Sequence, residues 1–195
     1  GLRLIEVHSS PRVAVVTTGS ELVEPGAPLE HGQIYNSNAT MLAGLVRELG
    51  FMSITGRHVS DDPSRTAACL RELSEQHDFI ILSGGVSVGD HDYVKPALDA
   101  LQVPQTFWKV RIKPGKPFLF TQAIRADGSR CTILGLPGNP VSSMVTCVRI
   151  VAPVLAACAG ATCRARVPRV KLAVDDGKVL DLWWHRLVRI NERGE

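Results

Sequence analysis

Three apolar, strand-like runs, each ending in a turn that contains glycine, constrain the fold of this chain more than any other feature. They are RVAVVTTG (12–19), FIILSGG (79–85) and CTILGLPG (131–138). Runs rich in β-branched residues that lack polar alternation are typical of strands buried on both faces. Segments with helical periodicity lie between and after them. This order predicts a three-layer α/β/α domain with a mostly parallel sheet.

Capping residues and periodicity give the remaining predicted elements. The first is a helix capped by Asn36, Ser37 or Asn38 and ended by Gly50, followed by a strand over 51–58 and a helix from Pro63 capped by Ser60 or Asp61. Next come a helix over 92–101, strands over 106–112 and 117–121, and a turn at 126–130. The last is a long helix from Pro140 to about Ala159, capped by Asn139.

The end of the chain differs from the rest. Residues 164–195 contain only short β-like runs, RVKLAV (169–174) and WWHRLVRI (183–190), around the turn DDG (175–177). Two such runs are too little chain for an independent sheet domain. We therefore predict one domain over 1–163 and an incomplete C-terminal β domain over 164–195.

Composition and charge narrow the class of protein. The chain has 195 residues, of which 45% are hydrophobic, which is enough to bury a core in one domain. Its net charge of +3 comes from 22 basic and 19 acidic residues that are interspersed, so a nucleic-acid-binding tail is not indicated.

Cysteine usage and hydropathy predict a cytoplasmic protein. The five cysteines form no C-x-x-C pair, and Cys69, Cys131 and Cys147 lie in apolar segments, as expected for buried residues in a reducing compartment. Arg149 and Pro153 interrupt the longest apolar helix, and the first residues lack a signal-peptide pattern. Secretion and membrane insertion are therefore not expected.

The turn SGGVSVGDHD (83–92) could bind an anion. Its glycines let backbone amides approach a phosphate, and Ser87 adds a hydroxyl. The alternative is a plain turn between strand and helix. Carboxylates beside it would repel phosphate unless a divalent cation or lysines intervene. Asp92, with Asp61 and Glu21 at the same sheet edge, suggests a Mg²⁺ site. Asp61 could instead merely cap its helix.

Three lysines follow in WKVRIKPGKP (108–117), among apolar residues and two prolines. Lys109 and Lys113 are predicted to bracket a strand, with Lys116 just beyond, so that three ammonium groups could reach one anion. A solvated surface run is the alternative. In LPGNPVSS (136–143), the amides of Gly138 and Asn139, with Ser142 nearby, could form a second anion site.

Six motifs, TTGSELVEPG, GQIYNSN, DDP, SGGVSVGDHDYVK, FWKVRIKPGKP and LPGNPVSSMVT, occur here in one order and spacing. In this respect the chain resembles, over about residues 12–160, the bacterial molybdopterin molybdenumtransferases related to the gephyrin E domain. The glycine turns and LPGNP are shared with molybdopterin adenylyltransferases and competence-damage-inducible proteins. The FWK and KPGKP pair favours the transferase.

The resemblance implies a molybdopterin-binding domain that takes adenylylated molybdopterin and molybdate, and releases molybdenum cofactor and AMP in a Mg²⁺-dependent step. Homodimers, and contacts with other enzymes of the pathway, are implied as well. The acidic residues implied for catalysis and metal binding are Glu21, Asp61 and Asp92, and the implied oxyanion or phosphate binders are Lys109 and Lys113. The implied ligand-cradling residues are Thr18, Gly19, Gly84, Gly85, Ser87, Lys116, Pro137, Gly138, Asn139 and Ser142.

Two departures from the family pattern affect the expected activity. Ser20 stands where the family usually has Asp or Asn, which removes one acid from the first motif. The domains that usually precede the equivalent of Arg12, and that complete the active site across a dimer, are expected to be missing. We therefore expect a central catalytic domain that binds ligand with or without turnover. An adenylyltransferase and a non-catalytic scaffold module are the alternatives.

Overall fold

In the computed structural model the described residues are 3–86, 93–161, 173–174, 177–186 and 188–189. The strands within them are β1 (Val13–Thr18), β2 (Leu22–Val23), β3 (Ile34–Tyr35), β4 (Ile54–Val59), β5 (Phe79–Ser83), β6 (Gln105–Trp108), β7 (Ile112–Lys113), β8 (Leu119–Ile124), β9 (Arg130–Leu136) and β10 (Trp183–Trp184). The helices are α1 (Ser37–Glu48), α2 (Pro63–Gln76), α3 (Val94–Ala100), α4 (Pro140–Thr146) and α5 (Ala152–Cys158), with a π-helical segment, Cys147–Val151, between α4 and α5.

The central sheet has six strands in the order β4-β1-β5-β9-β8-β6. Neighbours among the first four strands pair in parallel, and Phe79 of β5 lies beside both Val13 of β1 and Thr132 of β9. The last two strands pair antiparallel, since β8 and β9 form a hairpin and β6 runs beside β8. The mostly parallel sheet predicted from the sequence is confirmed, with an antiparallel extension at one edge.

Each face of the sheet is covered by its own helices. Every residue of β1 is buried, and alternate side chains enter different cores. Ala14 and Val16 pack into a cluster that includes residues of α2 and α3. Val13 and Val15 pack into a second cluster with residues of α1, α5 and the π-helical segment. The three-layer α/β/α architecture is therefore confirmed.

Three of the helices, α1, α2 and α4, begin at side-chain caps. Asn36 is the N-cap of α1 and accepts from the amide of Ala39, and Asn139 is the N-cap of α4. The cap predicted for α2 is wrong. Asp62, rather than Ser60 or Asp61, accepts from the amide of Arg65. Because Asp62 is the residue directly before Pro63, the carboxylate of Asp61 is left for other contacts.

The predicted strand over 106–112 is divided in two. β6 ends at Trp108, the chain leaves the sheet, and β7 covers only Ile112–Lys113. The amide of Val110 donates to the carbonyl of Lys116 at 3.0 Å, which closes the intervening segment as a loop. We call the segment 109–116, which contains β7, the lysine loop. Lys109 lies at its start and Lys113 lies within β7, so the two lysines do not bracket a strand.

The long helix predicted from Pro140 is continuous to Cys158 and contains the π-helical segment. It is long and apolar enough to span a membrane, with a mean hydropathy of 1.8. Cys147, Val151 and Leu155 are fully buried against the sheet, as in the core helix of a globular domain. Val141 and Val148, in contrast, are about half exposed, at 51% and 47%. Apolar burial within this chain is thus limited to one side of the helix.

The cysteines behave as the sequence predicted. Cys131 and Cys147 are buried, Cys69 is partly buried, and each of the four cysteines within the described residues is a free thiol. Burial raises the pKa of Cys131 to about 12 and that of Cys147 to about 11. These thiols therefore stay protonated at neutral pH and act as small apolar side chains.

Among the described residues beyond 161, one short strand is present. β10 pairs in parallel with β7, with Trp183 beside Ile112 and Trp184 beside Lys113. Of the predicted strand over 183–190, residues 187 and 190 lie outside the described residues, and among the others Trp183–Trp184 form a strand. The other predicted run, 169–174, and the turn 175–177 fall mostly outside the described residues. The boundary between domains at 163 and 164 stays a prediction.

A charged network ties together the edge of the sheet opposite the carboxyl ends of the parallel strands. The Asp78 carboxylate accepts from the backbone amide and the guanidinium of Arg12 at 2.9 to 3.2 Å. Arg125, at the end of β8, donates to the carbonyls of Ser74 and His77 at the end of α2. The network therefore joins the start of β1, the end of α2 and the β8–β9 hairpin.

The Asp78 contacts predict a pH-dependent contribution to stability. Hydrogen bonds from Arg12 lower the pKa of Asp78 against a smaller opposing effect of burial. A lowered pKa in the folded state stabilises the protein above the unfolded-state pKa of about 3.9, and the contribution is lost as the pH falls below that value. Because both side chains are partly exposed, we expect Asp78→Asn to cost about 1 kcal/mol at pH 7.

Urea denaturation at pH 7 and at pH 3 checks this expectation. The difference in unfolding free energy between Asp78→Asn and the parent chain should shrink at the lower pH. Asp99→Asn, which changes an exposed carboxylate on α3, is the control and should have little effect at either pH. An Asp78→Asn deficit that is equal at both pH values would contradict the assignment.

Candidate functional site

A cleft of about 740 Å³ lies at the carboxyl ends of the parallel strands. Parallel pairing sets the ends of β1, β5 and β9 side by side, with Thr17 beside Ser83 and Ser83 beside Leu136. The turns that follow these strands, together with the starts of α1 and α4, therefore line one cavity. The lining residues are Thr17, Thr18, Gly19, Glu21, Leu22, Ile34, Tyr35, Asn36, Ser37, Asn38, Asp61, Ser83, Gly84, Gly85, Tyr93, Pro117, Pro137, Gly138, Asn139, Pro140 and Ser142.

Most of the predicted site residues meet in this cleft. The structure brings together Thr18, Gly19, Glu21, Asp61, Gly84, Gly85, Pro137, Gly138, Asn139 and Ser142. Ser87 and Asp92 lie outside the described residues. Lys109, Lys113 and Lys116 are on the lysine loop and do not line the cleft, although Pro117, the next residue after the loop, does.

The turn after β5 passes so close to Thr18 that it requires glycine. Gly84 has a φ of +97°, and a Cβ atom added there would lie 2.6 Å from the Thr18 carbonyl oxygen and 2.7 Å from Thr18 Oγ1. The amide of Gly84 donates to the carbonyl of Leu136 at 3.3 Å. The Thr18 hydroxyl is buried and makes no hydrogen bond within the described residues. The backbones after β1 and β5 are thus in direct contact at the floor of the cleft.

Asp61 and Ser20 hold each other by two hydrogen bonds. The Asp61 carboxylate accepts from the amide of Ser20 at 3.0 Å, and the Ser20 hydroxyl accepts from the amide of Asp61 at 3.0 Å. Ser20 therefore orients the Asp61 carboxylate. Glu21 follows directly, so two carboxylates reach the same end of the cleft.

Two asparagines at the start of α1 contribute to the cleft and were predicted only as alternative caps. Asn36 donates to Thr17 Oγ1 at 2.8 Å in addition to its capping bond. Asn38 donates from Nδ2 to Ser83 Oγ at 2.9 Å and to the Gly138 carbonyl at 2.8 Å. Asn38 thus joins the turns after β5 and β9. The sequence signal was the run of polar residues YNSN directly after a Pro- and Gly-rich loop.

The third wall of the cleft is the start of α4. The Asn139 side chain accepts from the amide of Ser142 at 3.2 Å, with Pro140 at the first helical position. Ser142 Oγ lies 3.4 Å from the same Asn139 oxygen. Because the cap uses the Asn139 side chain, Asn139 and Ser142 are fixed relative to each other at the cleft. Their role in ligand binding stays a prediction.

Charged groups lie on the cleft surface and near it. Glu21 and Asp61 are carboxylates on its surface, and within the described ranges no group of three or more His, Cys, Asp or Glu residues is placed to hold a metal. Hydrogen bonds from Ser64 and Arg65 lower the pKa of Asp62, the neighbouring helix cap. Beside the lysine loop, burial and then the charge of Arg149 lower the pKa of His185.

Comparison with known proteins decides the family. Residues 14–157 match the family model described as "Probable molybdopterin binding domain". The chain belongs to this family. One relative of this molybdopterin binding domain is the "Molybdenum cofactor synthesis protein cinnamon" of Drosophila melanogaster. The two are 45% identical over a region that covers 90% of this chain and 28% of the relative.

A second relative of this molybdopterin binding domain is the "Molybdopterin molybdenumtransferase" of Haemophilus influenzae, with 39% identity over 80% of this chain and 37% of the relative. The chain thus spans about a third of the length of these curated relatives. Among solved structures, the molybdopterin biosynthesis MoeA protein from Pyrococcus horikoshii matches with a TM-score of 0.65 and 29% identity, over 77% of this chain and 36% of that one.

The close approach at Gly84 predicts a large loss of stability on substitution. Gly84→Ala would place a methyl group against the Thr18 carbonyl, as well as forcing alanine into a left-handed backbone conformation. Gly128→Ala is a matched control, since Gly128 has a φ of +81° but open space where its Cβ would lie. The conformational cost alone is about 1–2 kcal/mol.

We expect guanidinium denaturation to show a loss of unfolding free energy equal to this conformational cost for Gly128→Ala. The loss for Gly84→Ala should be at least about twice as large, because overpacking adds about 1–3 kcal/mol. Equal losses in the two variants would mean that the turn after β5 can move away from Thr18.

Proposed function

We propose that this molybdopterin-binding domain inserts molybdate into adenylylated molybdopterin, with release of AMP, as one step of molybdenum cofactor biosynthesis. The observation that carries the proposal is the cleft itself. It combines turns whose backbone can approach an anion closely with two carboxylates, Glu21 and Asp61, at one end. This set of groups suits a phosphorylated ligand whose charge is shared with a divalent cation.

Mg²⁺ fits the residues present. Mg²⁺ is usually bound by one or two carboxylates together with phosphate oxygens and water, and Glu21 and Asp61 supply two carboxylates on the cleft surface. Asp92 is proposed as a further metal ligand. When bound, Mg²⁺ would polarise the phosphoanhydride of the adenylylated substrate. Ser20 keeps the Asp61 carboxylate oriented through the two hydrogen bonds between them.

In this proposal the remaining site residues bind different parts of the ligand. The backbone of Gly84, Gly85 and Gly138 and the side chains of Thr18, Ser87, Asn139 and Ser142 cradle the pterin and its phosphate. Lys109 and Lys113, with Lys116, bind the tetrahedral oxyanion from the lysine loop. An ammonium group stabilises charge that builds up on oxygens during transfer. Pro117, which directly follows the loop, lines the cleft, whereas the three lysines do not.

The assembly and location of the protein are part of the same proposal. Val141 and Val148 present apolar surface on the long helix, which would suit contact with a second copy of the chain in a homodimer. Contacts with other enzymes of cofactor biosynthesis are proposed from the family. The free thiols of Cys69, Cys131 and Cys147 favour a cytoplasmic location.

Asp61→Asn should change ligand affinity differently with and without Mg²⁺. Asp61→Asn keeps an oxygen that can accept from the Ser20 amide but removes the negative charge. With Mg²⁺ present, titration calorimetry with adenylylated molybdopterin should show about ten-fold weaker binding or more, because a contact to a charged group is worth about 1.5–3 kcal/mol. With EDTA, affinity should be unchanged or higher, because a carboxylate near phosphate has been removed.

Asp127→Asn is the matched control for this titration. The Asp127 carboxylate also accepts a backbone amide, from Ser129 at 2.8 Å, but lies in the β8–β9 turn far from the cleft. The Asp127→Asn variant should bind adenylylated molybdopterin as tightly as the parent chain does, with Mg²⁺ and with EDTA. If Asp61→Asn weakened binding equally with Mg²⁺ and with EDTA, the carboxylate would not be acting through a cation.

Molybdate-dependent release of AMP separates the proposed reaction from the alternatives. An adenylyltransferase would consume ATP and free molybdopterin, and a scaffold module would turn over neither. The FWK and KPGKP motifs, and the molybdenumtransferase named among the relatives, favour the transferase. In the full-length protein, Lys113→Ala and Asp92→Asn should both reduce the AMP release. Unchanged release in both variants would refute the assignment of these residues.

A further inference from the structure

The C-terminal strand β10 is attached directly to the lysine loop. The amide of Trp183 donates to the Arg111 carbonyl at 2.7 Å, and the amide of His185 donates to the Lys113 carbonyl at 2.7 Å. The Arg111 guanidinium also binds the carbonyl of Asp181 at 2.8 and 3.1 Å, and forms an ion pair with the Asp181 carboxylate. The register is therefore fixed, with Trp184 opposite Lys113.

This register places the Lys113 ammonium over the Trp184 ring. Lys113 Nζ lies 5.1 Å from the ring centroid, and the Arg186 guanidinium lies 4.4 Å from the same ring. Both distances are within the range of about 6 Å at which a cation is attracted by the ring. The Trp184 side chain is half-buried, whereas Lys113 is exposed, so the contact restrains a long side chain at the surface.

An aromatic partner suits a lysine that has to bind an anion. A carboxylate beside Lys113 would neutralise the ammonium and compete with an incoming oxyanion for its protons. The face of an indole attracts the ammonium electrostatically but carries no net charge. The lysine can therefore be held in one place and keep its full positive charge for a ligand. Ordering it in advance also lowers the entropy cost of binding.

The other end of the lysine loop is already fixed. Gly115 has a φ of +111° and packs so closely on Thr146, the last residue of α4, that an added Cβ would lie 2.5 Å from Thr146 Cγ2. The loop backbone is thus held by the helix on one side and by β10 on the other. The position of the Lys113 side chain then depends on the residue opposite it in β10.

We propose that Trp184 is a positioning residue for Lys113, whose indole face holds the ammonium group in place to bind a tetrahedral oxyanion. The inference rests on the proposed function, which assigns oxyanion binding to Lys113. The shared chemistry is that of a doubly charged tetrahedral anion, which could be molybdate or a phosphate group of the substrate. Molybdate and inorganic phosphate are therefore the two probes in the test.

The test is a double-mutant cycle on the 195-residue chain. Titration calorimetry with each probe is applied to Lys113→Ala, to Trp184→Leu and to the double variant. We expect Trp184→Leu to weaken binding about three- to ten-fold, in line with the strength of a cation–π contact. If Trp184 acts through Lys113, the double variant should bind no more weakly than Lys113→Ala alone.

Two further variants separate positioning from a structural effect. Trp184→Phe keeps an aromatic face and should recover most of the affinity that Trp184→Leu loses. Trp183→Leu is the matched control, because Trp183 is in the same strand and is 76% exposed. This variant should bind molybdate and phosphate as the parent chain does. In NMR spectra, the upfield ring-current shift of the Lys113 side-chain protons should disappear in Trp184→Leu only.

The outcomes distinguish this inference from the proposed function. If Lys113→Ala binds both probes as the parent chain does, Lys113 is not the oxyanion binder, and the proposed function loses that residue together with this inference. If Lys113→Ala binds weakly but Trp184→Leu is unchanged or binds more tightly, only the positioning role of Trp184 is refuted. Weaker binding of molybdate alone, or of phosphate alone, identifies which oxyanion the lysine holds.

Discussion

The parallel pairing of β1, β5 and β9 is the constraint on which the rest of the molecule depends. These strands are buried on both faces, so most of their side chains contribute packing, and helices must cover each side. The register then aligns their carboxyl ends, with Thr17 beside Ser83 and Ser83 beside Leu136. The polar groups that line the cleft therefore cluster at the last residues of the strands and in the segments after them. The glycine turns, the carboxylates and the start of α4 meet because the strands that precede them are in register.

Within the cleft, neighbouring polar groups mostly restrain one another. Ser20 and Asp61 exchange two hydrogen bonds, and Asn38 joins Ser83 to the Gly138 carbonyl. Each of these contacts links segments that are 41 to 100 residues apart in the chain. Such links fix the walls of the cleft before a ligand arrives, which reduces the entropy that binding has to overcome. A site held in this way favours a ligand of one size and charge pattern.

The sequence predicted the parts of the fold that depend on local pattern. The buried strands, the caps at Asn36 and Asn139, and the glycine turns all follow from periodicity and residue type over a few positions. The wrong predictions depend on long-range contacts. Asp61 resembles a helix cap in the sequence because its actual partner, Ser20, is 41 residues away. The strand over 106–112 is interrupted because the chain closes on itself between Val110 and Lys116 and then pairs with β10.

Arg125 gives the antiparallel edge of the sheet a role beyond extending it. Its guanidinium occupies carbonyls of Ser74 and His77 that the end of α2 would otherwise leave without partners, while its side chain is only 9% exposed. The β8–β9 hairpin and the last turn of α2 consequently share their hydrogen bonds, although 48 or more residues separate them in the chain. Neither can open to solvent without exposing the other, so the two behave as one cooperative unit in local unfolding.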